Sequence, residues 1–169
     1  ANPTGTMMDR AALAALHACA RDLGLAFISD EIYHGLDYAF PAVSAVEIGD
    51  DVTVINSFSK YFCMTGWRVG WMVVPPGVSR TMERLQQNFT ISVPTLSQIA
   101  ADAAFDGRAE MDTVKAGYLE NRRILTEGLP AAGLARFLPA DGAFYLYADV
   151  SDFTDDSAAF ARRMLDAAH

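Results

Sequence analysis

The sequence predicts an α/β fold in which helices pack against a mostly parallel β-sheet. Three observations support this prediction: a helical pattern comes first, short apolar runs follow it, and turn-forming residues separate these runs. The order helix, strand, connection, strand is typical of layered α/β sheets. The chain of 169 residues is 51% hydrophobic and 20% charged, which is the composition of an ordinary soluble globular protein.

The first predicted element is a helix over residues 6–23. Thr6, with an acidic residue three positions later, resembles a capping box, and Gly24 suits the position that follows a helix. Apolar residues recur at helical spacing along one face: Leu13, Leu16, Ala20 and Leu23. We expect this face to pack against the sheet.

Three strands are predicted after this helix. The apolar run Leu25–Ile28 suits a strand that is covered on both faces of a parallel sheet. The second strand is predicted in DVTVINSFS, residues 51–59, and the third in RVGWMVV, residues 68–74, where two prolines follow. In open α/β sheets, ligands bind beyond the carboxyl ends of the strands. Asp30 and Lys60 directly follow apolar strand segments, so we expect both at that edge.

The remaining predicted helices cover residues 79–88, 94–105, 109–128 and 157–168, with Pro94 in a first turn. A turn at Asp141-Gly142 is predicted to lead into an aromatic strand. Because the 109–128 helix is long and polar, we interpret it as a connector. This places a domain boundary near residue 108, with one domain over 1–108 and a second over 109–169.

Composition excludes several classes of partner. The net charge of −8 argues against nucleic acid, because nucleic-acid binders carry a basic face. No apolar run approaches the roughly 20 residues that span a bilayer, so we expect no membrane partner. Cys19 and Cys63 have neither the density of a disulfide framework nor the spacing of metal ligands, which predicts a reducing, cytoplasmic setting and no metal.

The stretch VINSFSKYFCMTGWRVGW, residues 54–71, carries the clearest chemical signal. Lysine is rarely buried without a partner, yet Lys60 directly follows an apolar strand. Ser57 and Ser59 add hydroxyl groups, and Arg68 adds a planar guanidinium that can bind phosphate through two hydrogen bonds. These four residues therefore predict a phosphate cradle next to an amine.

The neighbouring strand adds two further groups. A lysine amine beside a phosphate anchor and a lone carboxylate fits a Schiff base with pyridoxal 5′-phosphate. Asp30 would hold the pyridine nitrogen protonated, because a nearby negative charge favours the charged form. Tyr33 would donate to the 3-oxygen of the ring and so lower the pKa of the imine. The sequence thus offers one residue type for each role.

Four motifs, NPTG, SDEIYHG, SFSKYFCMTGWRVGW and GAFY, resemble those of the class I/II aminotransferases, the family that includes aspartate aminotransferase. They follow the family's order and cover nearly the whole chain. The resemblance implies part of the large pyridoxal-phosphate domain, a three-layer mostly parallel sheet, followed by the start of a small α+β domain. It also implies amino-group transfer between an amino acid and a 2-oxo acid, in amino acid metabolism, by a homodimer that completes its sites across the dimer interface.

The same resemblance implies the roles of individual residues. Lys60 would form the Schiff base and then move the proton of the substrate, while Asp30 would pair with the pyridinium nitrogen. Tyr33 and Asn2 would hydrogen-bond the ring 3-oxygen. The phosphate would be bound by Ser57 and Arg68, with Ser59 as a further contributor. We expect the catalytic residues to be Lys60, Asp30 and Tyr33.

Several parts of the family's site are missing from these 169 residues. They are the Gly-rich phosphate turn, the aromatic residue that stacks on the cofactor, and the arginine that binds the substrate carboxylate. We therefore expect a fragment of a longer enzyme that is inactive alone. Its sequence does not identify the donor amino acid. Two alternatives stay open: a carbon–sulfur lyase on the same scaffold, or the cofactor-binding effector domain of a transcription regulator.

Overall fold

The computed structural model describes residues 1–168 and confirms the α/β class. Its regular structure consists of five α-helices, one three-stranded sheet and two short 3-10 helices, Ala45–Glu47 and Thr65–Trp67. In chain order the α-helices and strands are α1 Arg10–Asp22, β1 Phe27–Asp30, β2 Val52–Ser57, β3 Gly70–Val73, α2 Pro76–Phe89, α3 Thr95–Ala104, α4 Arg108–Ala131 and α5 Ser157–Ala168. Within the described residues, no helix is both long enough and apolar enough to cross a bilayer.

The sheet has the strand order β1-β2-β3. Strands β1 and β2 are parallel, with Asp30 opposite Ile55, and β2 continues two residues further to Ser57. Strand β3 runs antiparallel to β2, with Gly70 opposite Ser57. The carboxyl ends of β1 and β2 and the start of β3 therefore lie at one edge of the sheet.

Helix α1 starts three residues later than its predicted capping box. The predicted cap, Thr6, lies outside the helix, and Asp9 is the actual N-cap, because its carboxylate accepts a hydrogen bond of 2.8 Å from the Ala12 N–H. Gly24 follows the helix with φ of +68°, as predicted for a residue after a helix end. Pro94 is likewise the N-cap of α3 rather than part of its first turn.

The core between α1 and the sheet is small and apolar. It consists of the buried residues Leu13, Ala45, Val52 and Val54, with three partly buried neighbours, Phe27, Val43 and Ile48. The opposite face of the sheet is open in this chain, because Ile28 of β1 is 63% exposed. The prediction that β1 is covered on both faces is therefore wrong for the described residues.

The predicted aromatic strand after Asp141-Gly142 is also wrong. The segment forms only isolated bridges, from Gly142 to Asp37 and from Ala148 to Phe137. Ala143 has φ of +60°, a conformation that interrupts an extended strand. The aromatic side chains of this segment consequently do not alternate across a sheet, and two of them turn towards the site described below.

Candidate active site

The edge of the sheet collects polar residues from all three strands. Asp30 is the last residue of β1, and Lys60 comes three residues after the end of β2. Arg68 comes two residues before β3, which begins at this edge because it is antiparallel to β2. The strand directions alone therefore bring a carboxylate, an amine and a guanidinium to one side of the molecule, as the sequence predicts.

The segment from Ser57 to Arg68, here called the Ser57–Arg68 loop, is held by short-range hydrogen bonds. The hydroxyls of Ser57 and Ser59 lie 2.9 Å apart, and the Ser59 N–H donates to the Ser57 hydroxyl at 3.0 Å. Arg68 has a left-handed backbone (φ +53°), and its guanidinium donates to the Thr65 carbonyl at 3.0 Å. The other N–H groups of its exposed guanidinium can therefore serve a ligand.

An aromatic cluster around Phe58 packs against this loop. The ring of Phe58 is buried and lies 4.8 Å from Phe62, 5.0 Å from Trp71 and 5.2 Å from Phe105, measured between centroids. Offset and edge-to-face contacts of this kind stabilise by about 0.5–1.5 kcal/mol per pair beyond the buried area. The residues beside Lys60 are thus fixed to α3 and β3 by packing.

Lys60 approaches the loop that follows β1. Its Nζ atom lies 5.5 Å from the ring centroid of Tyr33 and 5.6 Å from that of Phe144. The next residue, Tyr61, packs against Gly35, where a Cβ would lie 2.6 Å from its ring atoms. Gly35 also has φ of +95°, so glycine is required there on both counts. This close approach holds the lysine loop against the tyrosine loop.

Tyr33 is the centre of a second group of residues, here called the Tyr33 cluster: Asn2, Tyr33, Lys60, Phe144 and Tyr145. The hydroxyls of Tyr33 and Tyr145 lie 2.5 Å apart, and the amide of Asn2 donates to the Tyr33 hydroxyl at 3.4 Å. Burial and the hydrogen bond to Tyr145 raise the pKa of Tyr33 to about 12. Tyr33 is therefore a neutral phenol that keeps its proton at physiological pH.

Asp30 lines the same cleft as Asn2 and Tyr33. This cleft has a volume of about 540 Å³ and lies between the end of β1, the N-terminal segment and residues 142–143. One carboxylate oxygen of Asp30 accepts a hydrogen bond of 3.2 Å from the Ile32 N–H, and the side chain is exposed to solvent. The cleft can therefore offer a negative charge and a neutral phenol to one ligand.

Glu31, between Asp30 and Tyr33 in the strand-end loop, is a residue that sequence reasoning missed. It is only 3% exposed, and its carboxylate accepts a hydrogen bond of 2.7 Å from the Ala45 N–H. The second carboxylate oxygen lies 3.3 Å from Nδ1 of His34. Glu31 thus fixes the loop that carries Tyr33 to the turn at Ala45, and no spacing rule signals such a contact.

The predicted site residues fall into two connected groups. Direct contacts join Asn2, Tyr33 and Lys60, while a separate set of hydrogen bonds joins Ser57 to Ser59. Arg68 contacts neither group through a side-chain hydrogen bond and is near them because of the strand register. In the aromatic strand predicted after Asp141-Gly142, Phe144 and Tyr145 would pack within the sheet, whereas the ring of Phe144 faces Lys60 and that of Tyr145 faces Tyr33. The GAFY motif was the signal for both.

Known proteins resemble this chain over nearly its whole length. The family model "Aminotransferase class I and II" matches residues 1–169. Valine–pyruvate aminotransferase of Mycobacterium tuberculosis is 49% identical over 98% of this chain and 44% of its own length. Aspartate/prephenate aminotransferase of Thermus thermophilus is 34% identical, again over 98% of this chain and 44% of the relative.

A solved structure shows the same likeness in three dimensions. An aminotransferase from Mycobacterium tuberculosis superposes with a TM-score of 0.93 at 47% identity, over 98% of this chain and 44% of that structure. The chain therefore spans less than half the length of the relatives it matches. Over its whole length, and with the motif residues gathered at one sheet edge, this chain belongs to the class I and II aminotransferase family.

Proposed function

We propose that the intact protein is a pyridoxal-phosphate-dependent aminotransferase that moves an amino group between an amino acid and a 2-oxo acid. The observation that supports this most is the surroundings of Lys60. Within residues 1–168 its amine forms no ion pair and lies over two aromatic rings, next to a phenol and at the same sheet edge as a carboxylate. Such an amine is available for covalent chemistry.

The residues at this edge match the chemical groups of pyridoxal phosphate. When bound, the cofactor supplies an electron-withdrawing ring that stabilises negative charge at the substrate α-carbon. Lys60 would hold its aldehyde carbon and move the substrate proton, and Asp30 would keep its ring nitrogen protonated. The Tyr33 hydroxyl and the Asn2 amide would donate to its 3-oxygen.

The phosphate would be bound by the Ser57–Arg68 loop. Ser57 and Ser59 offer hydroxyls that already share a hydrogen bond, and Arg68 offers the N–H groups that its Thr65 contact leaves over. A charge-assisted hydrogen bond from arginine is about twice as strong as a neutral one. Among these three residues, Arg68 would therefore contribute most to the affinity for the phosphate.

For the substrates, we propose valine as the amino donor and pyruvate as the acceptor. The support is the 49% identity to an enzyme named valine–pyruvate aminotransferase, against 34% to one named aspartate/prephenate aminotransferase. We further propose that the intact protein is a cytoplasmic homodimer of amino acid metabolism. We also propose that residues 1–108 and 109–169 belong to its large and small domains.

The test is to supply the full-length protein with pyruvate and nitrogen-labelled valine and to follow the label by mass spectrometry. Transfer predicts labelled alanine, with aspartate and 2-oxoglutarate as the slower comparison pair. A carbon–sulfur lyase would instead release pyruvate and ammonia, together with sulfide from cysteine or a thiol from cystathionine. Absence of labelled alanine, glutamate or any other transfer product across a panel of amino acids would refute the proposed activity.

A further inference from the structure

The hydroxyl groups of Tyr33 and Tyr145 form a pair that the proposed roles of the site do not use. They lie 2.5 Å apart, although 112 residues separate them in the chain. A phenol carries one donated proton and two acceptor lone pairs. Because Asn2 already donates to Tyr33, one lone pair of Tyr33 is occupied. The remaining lone pair and the single proton must serve both Tyr145 and any ligand.

Tyr145 is held rigidly in this position. Its backbone carbonyl lies so close to Gly5 that a Cβ there would be 2.7 Å from the oxygen, and Gly5 has φ of +70°. The Gly142 N–H donates to the Gly5 carbonyl at 2.9 Å, and the Ala143 N–H donates to the Leu36 carbonyl at 2.7 Å. The segment that carries Tyr145 is therefore attached to both segments that carry Asn2 and Tyr33.

The direction of the hydrogen bond decides what Tyr33 can do. While Tyr33 donates to Tyr145, its proton is used and a ligand receives nothing from it. When Tyr145 donates to Tyr33 instead, the Tyr33 proton is free for a ligand. Only a partner that both accepts and donates allows this reversal, and a hydroxyl is such a partner whereas a phenyl ring is not.

We propose that Tyr145 is a positioning residue whose hydroxyl donates a hydrogen bond to the Tyr33 hydroxyl. Tyr33 can then donate its own hydrogen bond to the 3-oxygen of the bound cofactor. This inference rests on the proposed function. The step is a change of hydrogen-bond direction, in which no covalent bond forms or breaks. Hydrogen bonds in a chain strengthen one another, so donation by Tyr145 makes Tyr33 the stronger donor.

The groups that face Tyr33 are compatible with this role. Asp30 at the end of β1 and Lys60 after β2 are the charged groups next to it, and Asn2 is a neutral donor. Burial first, and then the hydrogen bond to Tyr145, raise the pKa of Tyr33 to about 12. A hydrogen bond raises the pKa of the phenol that donates it, so this value belongs to the state in which Tyr33 donates to Tyr145; the proposed reversal removes that contribution and leaves the contribution of burial. Tyr33 thus keeps its proton over the whole range in which the test below is carried out.

The test uses the full-length protein loaded with pyridoxal phosphate and measures the pH titration of the visible band of the Lys60 adduct. Tyr145→Phe should raise the apparent pKa of the adduct by about half a unit, since it removes one neutral hydrogen bond from the chain of donors. Tyr147→Phe is the matched control, because Tyr147 is 51% exposed and lies two residues further on. It should titrate like the wild type.

A second variant covers the case in which Tyr145→Phe does not fold. Replacing Tyr145 by 3-fluorotyrosine keeps the hydroxyl and its shape but makes it a stronger donor, so the apparent pKa should fall. An unchanged titration in the fluorotyrosine protein, or a shift equal to that of the Tyr147 control, would overturn the inference. A wild-type protein with no borohydride-sensitive visible band would overturn the proposed function instead, and this inference with it.

Discussion

The Ser57–Arg68 loop and the Tyr33 cluster meet at Lys60 but are assembled in different ways. The loop comes from a single stretch of 12 residues, fixed by hydrogen bonds between neighbours and by an aromatic base. The cluster draws its residues from four separate parts of the chain, near positions 2, 33, 60 and 145. The loop therefore depends on local geometry, whereas the cluster depends on how distant segments pack.

This difference leads to different expectations for mutations. Changes in the Ser57–Arg68 loop should act mainly on affinity for the cofactor, because its residues are the ones we propose to bind the phosphate. Changes in the Tyr33 cluster should act mainly on rate and on pH dependence, because its groups are the ones we propose to hold or move protons. Each prediction below, for the full-length protein, either sharpens this division or breaks it.

The largest effect is expected for Lys60→Ala, at the point where the two regions meet. Loss of a positioned proton-transfer group typically costs about 10²- to 10⁴-fold in rate, and here the covalent attachment is lost as well. The measurement is the transfer rate together with the borohydride-reducible visible band. Lys115→Ala is the control. Lys115 lies on α4 and forms an ion pair of 3.0 Å with Asp37, so its replacement should leave the visible band intact.

Retention of the reducible band in Lys60→Ala would contradict the assignment. It would mean that a different amine carries the cofactor. Lys60 would then not be the residue at which the two regions meet the cofactor. Loss of the band with a circular dichroism spectrum like that of the wild type is the expected result.

The next largest effect is expected for Arg68→Ala. Hydrogen bonds to charged groups contribute about 1.5–3 kcal/mol, so the dissociation constant of pyridoxal phosphate should rise about 10- to 100-fold. The dissociation constant of Arg68→Lys should lie between those of the wild type and Arg68→Ala, because lysine keeps the charge but not the planar pair of donors. Arg80→Ala, an exposed arginine on α2, is the control.

The division between the two regions also predicts the transfer rate of Arg68→Ala. At saturating cofactor the rate should stay within a few fold of the wild type, since the proton-moving groups are untouched. A rate that remains strongly reduced at saturation would show that the loop does more than bind phosphate.

A smaller effect, on stability, is expected for Glu31→Ala. The change leaves the Ala45 N–H, which belongs to a fully buried residue, without its partner at 2.7 Å. An unsatisfied buried donor costs about 1–3 kcal/mol of unfolding free energy. Urea denaturation of Glu31→Ala and of the control Glu83→Ala, an exposed α2 residue, measures the difference. Equal midpoints for the two variants would show that Glu31 does not anchor the Tyr33 loop.

How much the sequence predicts follows the same division. Lys60 and Arg68 could be placed because strand ends and short spacings are visible in one stretch of sequence, and the sheet register keeps that order. The pairing of Tyr33 with Tyr145 could not, because it depends on contacts of Gly5, Gly142 and Ala143 across the chain. The positive φ of Ala143, which turns the GAFY segment out of an extended strand, has no signal in residue type.

The smallest effect concerns alkaline pH and tests the packing around Tyr33. The folded pKa of Tyr33 is raised to about 12 from an ordinary value of 10.0, chiefly by burial and then by the hydrogen bond to Tyr145. Above pH 10 the unfolded chain loses this proton while the folded chain keeps it, so unfolding is increasingly favoured as the pH rises. The stabilising contribution is complete below pH 10 and is lost between pH 10 and 12.

Tyr33→Phe should therefore flatten the decline of the denaturation midpoint between pH 10 and 12. Ser57→Ala, which removes no phenol, should leave the slope unchanged. Because burial also raises the pKa of Tyr38 and Tyr61 to about 12, part of the decline should remain in Tyr33→Phe. Identical slopes for wild type and Tyr33→Phe would mean that Tyr33 is as accessible in the fold as in the unfolded chain. In that case the close packing of the Tyr33 cluster could not be what distinguishes it from the Ser57–Arg68 loop.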